Sequence, residues 1–329
     1  AATSPAAAPL IMSTSLRAVG VVVGAGFVLK RLLDWYERYE SDAGWLALAE
    51  QVRLSLEPPA QSAFRVVAVV PYGRRLFGEY VVGTNDEAGH IQASICAERS
   101  AFVQLALRLR RPRQRPRRAR SVFIVTDSSK PIMPGLLCRE YMLASAYTDP
   151  DETTVLCASA GLRVLAPRVT LAELFPRASL YTRLNGREQV LLGTRLKGRL
   201  QRPTNGVACV VYDAALKAAQ SDDRDDLHPI RFGAAAGSST IKVAFQRKAL
   251  EYGATLDAVS QLAPFLDKLK RDEQGEMWLC MVDHFGVAHT PFAAARAFLA
   301  EHGHAGCRVL YHGLDGSLNV VLASDLAPA

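Results

Sequence analysis

Apolar residues in segment 45–56 recur at helical spacing, and Glu57 followed by two prolines ends the run, so the pattern predicts a helix there. Residues 64–70 and 76–82 are short runs rich in β-branched and aromatic residues on either side of a Tyr72-Gly73 turn, which predicts a β-hairpin. A second helix is expected from Ile95 to about Leu109, a buried strand at Ser121–Thr126, and a third helix after Pro134, to about Ala146. Hairpin, helix, strand and helix in that order predict a mixed α/β sandwich.

A different pattern precedes these elements. Residues 18–29 are apolar, flanked by Arg17 and by Lys30-Arg31. Extended back to residue 9, the stretch holds 21 residues with Arg17 as its one charge, about the span of a bilayer core. Gly20 and Gly24 form a GxxxG pair that lets another helix approach closely. Trp35, Tyr36 and Tyr39 follow the basic pair as an interfacial belt would. A membrane-spanning helix over residues 9–29 is therefore an expectation, with membrane lipid as a partner, and a targeting remnant or a buried helix is the alternative. Residues 1–33 contain no Asp or Glu, a bias typical of organelle-targeting segments. The resulting expectation is a mitochondrial protein at the inner membrane, its bulk held on the matrix side by Lys30 and Arg31.

Charge changes the picture only locally. The 329 residues carry a net charge of +7, but eight arginines lie between residues 108 and 120, and the remaining chain is close to neutral at −1. They are Arg108, Arg110, Arg111, Arg113, Arg115, Arg117, Arg118 and Arg120. Pro112 and Pro116 keep regular helix out of this stretch, so it is expected to be an exposed loop for an anionic partner: RNA phosphate, lipid headgroups or an acidic protein surface. No aromatics interleave the arginines, which argues against a stacking platform for single strands.

Six scattered cysteines with no CxxC pair argue against a disulfide scaffold. Two of them sit in informative surroundings. Residues 96–101 read Cys-Ala-Glu-Arg-Ser-Ala, with Asn85-Asp86-Glu87 upstream and Asn85 eleven residues before Cys96. Residues 61–64 read Gln-Ser-Ala-Phe, and residues 134–140 read Pro-Gly-Leu-Leu-Cys-Arg-Glu. These stretches resemble the cytidine deaminase family, whose patterns are C-A-E-R-[TS]-A, N-V-E, Y-S-x-F and P-C-G-x-C-R-Q. The resemblance implies a deaminase-like α/β/α sandwich. It also implies zinc ligands at Cys96 and Cys138, a proton-moving carboxylate at Glu98, and nucleoside contacts from Phe64, Asn85 and Glu87. The family's remaining ligand falls on Gly135, which has no side chain. Two thiolates do not complete the three-ligand, open-position site of catalytic zinc. Leu136, in place of a family glycine, is expected to add bulk near the metal position. His90 aligns between the ribose-side Asn and the helix, not with the metal. The expectation is that Cys96, Cys138 and Glu98 are vestigial and that zinc is lost. Phe64, Asn85 and Glu87 would then be remnants of a nucleoside site, with a small-molecule nucleoside not expected as a partner.

A more eroded copy follows. Residues 244–250, Ala-Phe-Gln-Arg-Lys-Ala-Leu, resemble C-A-E-R-T-A-L with Ala244 for the Cys and Gln246 for the Glu. Strand 278–283 parallels residues 122–127, and residues 291–301 resemble the second metal motif with Phe292 and Ala295 in the cysteine places. Two tandem deaminase-like copies are expected, with domains at 1–40, 41–195 and 196–329, and a basic linker over residues 182–205. The functional expectation is a pseudoenzyme that serves as an accessory subunit of a mitochondrial inner-membrane complex of the respiratory kind, with other subunits as partners. Two alternatives stand beside it. One is an active zinc-dependent cytidine deaminase with an altered metal site. The other is an RNA-associated mitochondrial protein, ribosomal or editing, that uses the arginine loop.

Overall fold

A computed structural model describes residues 41–72, 79–90, 93–110, 118–204, 206–222, 228–272 and 276–328. The expected membrane segment 9–29 with Gly20 and Gly24, and Arg111, Arg113, Arg115 and Arg117 of the basic stretch, lie outside the described residues. Among the described residues, no helix is long and apolar enough to cross a membrane.

Helix α1 (Asp42–Ser55) starts at Ser41, whose hydroxyl accepts from the Gly44 amide at 3.1 Å. Strands β1 (Val66–Tyr72) and β2 (Glu79–Thr84) form the expected antiparallel hairpin, with Val69 opposite Val82. Helix α2 (Ala97–Leu109), strand β3 (Ser121–Thr126) and helix α3 (Leu136–Ala144) follow. Strands β4 (Thr154–Ala158) and β5 (Val169–Thr170) complete a sheet of order β2-β1-β3-β4-β5, in which only the β3–β4 pair is parallel. The strands are apolar on both sides because both faces are covered. Val67 and Val69 pack with Trp45 and Leu46 of α1, whereas Ala68 and Val70 pack with Phe102, Leu105 and Met142 of α2 and α3. The short helix α4 (Leu171–Leu174) closes this first core.

Helix α5 (Gly186–Lys197) occupies the expected linker and runs across the expected boundary at 195/196. Asn185 and Glu188 form its capping box, and its Leu192 and Leu196 join Ile230 and Val287 in the second core. The segment is therefore an amphipathic helix of the second core; its basic residues had made it resemble a linker.

The second core repeats the first element by element: α6 (Gly206–Ala219), β6 (Phe232–Gly237), β7 (Ile241–Phe245), α7 (Ala263–Asp272), β8 (Trp278–Asp283), β9 (Ala288–His289), α8 (Ala293–Glu301), β10 (Arg308–His312) and β11 (Leu318–Leu322). Its sheet runs β7-β6-β8-β10-β11, again with one parallel pair, β8–β10. The additional strand β9 pairs with β8.

Candidate active site

Two helix N-termini meet over the end of β3. Cys96 is the N-cap of α2 and Gly135 the N-cap of α3, both with extended backbone. Helix α2 can rest on β2 only because residue 83 is glycine. A Cβ there would lie 2.1 Å from the Ala97 carbonyl oxygen and 2.2 Å from the Ala101 amide nitrogen. That contact brings Cys96 and Glu98, two residues apart at the N-terminus of α2, to the start of α3, which carries Cys138. One ligand atom from each of Cys96, Glu98 and Cys138 lies within 4.8 Å of the others.

Their electrostatics follow from this crowding. A hydrogen bond from Cys138 lowers the Cys96 thiol to about 7, against the opposing effects of burial and of the Glu98 charge. The Cys138 thiol is pushed up, first by that same hydrogen bond and then by burial. The two thiols are coupled, and the titration belongs to the pair. Burial raises the Glu98 carboxyl, against the opposing interactions with its own backbone amide and with Cys138. Arg139 is not its partner: this buried guanidinium donates to the Pro134 carbonyl at 2.6 Å.

A cavity of about 430 Å³ opens on this cluster, and Phe64, Asn85, Glu87 and Gly135 also line it. All the ribose-side positions of the resemblance therefore reach one cleft, but two already have work there. The Asn85 carbonyl oxygen accepts from the Val66 amide at 2.8 Å, and its amide donates to the Phe64 carbonyl at 2.8 Å. Glu87 accepts from the Ser62 amide at 2.8 Å and the Ser62 hydroxyl at 2.5 Å, hydrogen bonds that hold its carboxyl low. His90 is exposed and not among the clustered donors. Leu136 packs against the first core and does not line the cleft, so the expected bulk at the metal position is absent. Gly135 is exposed, and a Cβ on it would meet no atom within 4 Å among the described residues.

As a donor set, Cys96, Cys138 and Glu98 could grip a metal ion. They do not fit a hydrolytic zinc centre, which needs three ligands, an open position and a separate carboxylate for the proton. If Glu98 ligates, the carboxylate left in the cleft is Glu87, which is already held by Ser62; if Glu98 does not ligate, only two ligands remain.

No family model matches the chain, and no curated protein sequence matches it. Among solved structures, it is similar to the cytidine deaminase of Burkholderia pseudomallei, at 20% identity over 41% of this chain and 97% of that one, with a TM-score of 0.34. It is similar to the enzyme of Mycobacterium leprae at 20% identity over 40% of this chain and 94% of that one, with a TM-score of 0.31. For the enzyme of Mycobacterium tuberculosis the figures are 22%, 38%, 96% and 0.31.

The repeat corrects the register expected for the second copy. Asp86 bridges Ile95 in the first core and Arg247 bridges Leu256 in the second. The Asn85 amide donates to Val66, and the Gln246 amide to Phe232, the first residues of equivalent strands. Gln246 therefore stands where Asn85 does, not where Glu98 does, and Ala244 belongs to strand β7. Counting on from the bridges, Cys96 and Glu98 correspond to Asp257 and Val259. Asp257 folds back to accept from the amides of Val259 and Ser260 at 3.0 and 2.9 Å. The parallel between strands also shifts by one residue, since Val66 pairs with Thr126 and Phe232 with Asp283. The downstream motif keeps the expected register. Phe292 caps α8 as Gly135 caps α3, and Arg296 donates to the Pro291 carbonyl at 2.8 Å as Arg139 does to Pro134.

Two residues of the first site had escaped notice. Thr126, buried at the end of β3, lines the cleft, and Asp127 behind it binds Arg53 and Arg65. The available signal was a polar pair closing an otherwise apolar strand.

Proposed function

We propose that the chain is a deaminase-like pseudoenzyme, a two-core scaffold that has given up zinc chemistry and acts as an accessory subunit of a larger assembly. The observation that carries this is Gly135: at the third-ligand position of the resemblance stands a residue without a donor, beside an intact cleft and two intact thiols. The second core supports the same reading, with Val259, Phe292 and Ala295 at the equivalent places. In the assembly, the arginine-rich stretch 108–120 and the apolar segment 9–29 are the partner-facing parts. The acid-free first 33 residues make the mitochondrial inner membrane the proposed location.

The test uses the room at Gly135. The purified full chain should hold no stoichiometric zinc and should not deaminate cytidine. The Gly135→Cys variant, whose new side chain meets no clash, should take up about one zinc per chain. A wild-type protein that carries zinc and deaminates cytidine, and loses that activity in Glu98→Gln, would overturn the proposal in favour of an active enzyme. Native purification reports on the second half: co-purifying subunits support it, and co-purifying RNA that is lost on changing the arginines to serine points to the RNA-associated reading.

A further inference from the structure

The scaffold reading leaves two nucleophilic side chains of the first core without a duty. Cys157, Cys280 and Cys307 are buried among apolar neighbours of the two cores, and Cys209 is half-buried on α6. Cys96 and Cys138 are placed differently: their sulfurs lie within 4.8 Å of each other.

The two thiols also differ in access. Cys96 is exposed, in extended backbone just ahead of α2. Cys138 is 1% exposed, in the first turn of α3. Both line the same cleft of about 430 Å³. The space beside Gly135 is open, since a Cβ there would meet no atom within 4 Å among the described residues. A small molecule that enters this cleft therefore meets Cys96 first and has Cys138 behind it. Exchange with disulfides asks for that order, one thiol to attack and a second to resolve. Closing an S–S bond of about 2.0 Å requires the sulfurs to approach, and Cys96, ahead of its helix, is the freer of the two.

We propose that Cys96 and Cys138 form a thiol–disulfide exchange site for small disulfides of the glutathione type. The Cys96 thiolate attacks one sulfur of the incoming disulfide, forming a mixed disulfide and releasing one thiolate. The Cys138 thiolate then attacks the Cys96 Sγ, breaks the mixed disulfide and releases the second thiolate. The two protons lost by the protein thiols pass through water to the two released thiolates. Two protein thiols are oxidised to one disulfide, and one small disulfide is reduced to two thiols. The reverse reaction with the small thiol reopens the pair. Closure ties the start of α2 to α3, the helix that also reaches the second core. There Glu140 accepts from the Ala293 amide at 3.1 Å and Arg139 donates to the Pro328 carbonyl at 2.5 Å. The inference rests on the pseudoenzyme reading, because zinc held by both thiols would leave neither free to react.

The test equilibrates the full chain, carrying Cys209→Ser to remove the half-buried thiol, with mixtures of reduced and oxidised glutathione. After an acid quench, thiols are counted in denaturant and peptides are mapped by mass. The oxidised sample should show two fewer thiols and a cross-linked peptide joining residues 96 and 138, both reversed by excess reduced glutathione. Adding Cys138→Ser should stop the reaction at a glutathione adduct on Cys96. Adding Cys96→Ser should leave Cys138 without an adduct, because it is buried. The cross-linked peptide is read without a change at either cysteine, so a poorly folding variant does not decide the outcome. Zinc is measured in the same samples. A zinc-free chain that forms no 96–138 link overturns this inference alone, as does a glutathione adduct on Cys96 that persists while Cys138 is present. About one zinc per chain that blocks the link overturns both this inference and the pseudoenzyme reading.

Discussion

At the scale of single residues, Asn85 is a clamp on the strand entry. Its amide bridges Phe64 and Val66 and fixes the entry of β1, with Glu87 doing the same for Ser62. Asn85→Ala should therefore cost about 1.5 kcal/mol of stability, seen as a lower urea midpoint, from two part-buried hydrogen bonds. An unchanged midpoint would mean that the clamp is incidental. The sequence made Cys96, Glu98 and Cys138 legible as one site because their letters and spacing are specific. It did not reveal what Asn85 and Glu87 bind, because side-chain partners nineteen or more residues away leave no local pattern. A cavity lined by Glu140 and Tyr141 on one side and by Phe232, Gln246 and Phe292 on the other was illegible for the same reason: its walls come from both halves of the chain.

At the scale of elements, helix α1 is tied to the sheet by charge as well as by Trp45. Arg53, 4% exposed, binds Glu50 at 2.7 Å and also Asp127, while Arg65 holds Asp127 at 3.0 Å. Hydrogen bonds from Arg53 keep the Glu50 carboxyl below its ordinary range. Burial pushes Asp127 up, but the hydrogen bonds from Arg65 and the Arg53 charge bring it down overall. Both acids thus have folded-state values below the unfolded ones. Their contribution is complete above the ordinary carboxylate range, about pH 4, and is lost as the pH falls through the depressed values. Acid titration of the melting temperature should show that loss. Arg53→Ala should remove about 3 kcal/mol at neutral pH and flatten the acid limb. A variant with the wild-type acid limb would exclude the network as its source. Elements with strong periodicity, such as Ser121–Thr126 and α2, were read correctly from their patterns. The second copy was misplaced where letters were trusted over periodicity: Ile241–Phe245 is a strand paired along β6, and the matching helix begins well downstream.

At the scale of the whole molecule, the two cores exchange arginines. Arg296, 1% exposed and 3.9 Å above the Phe175 ring, donates to Pro176 at 2.7 Å, Arg177 at 2.9 Å and Leu326 at 2.9 Å. Arg139 donates to the Pro328 carbonyl at 2.5 Å. Arg296→Met keeps the bulk and removes the donors. It should cost at least about 3 kcal/mol and turn one unfolding transition into two, by calorimetry. A variant that still melts in a single transition would show that apolar contact alone couples the cores. The exchange also sets a timetable. During synthesis the first core leaves the ribosome ahead of the second. Until residue 328 has followed, Arg139 lacks one of the carbonyls that receive it, so the earlier half waits on the later one to finish its interior.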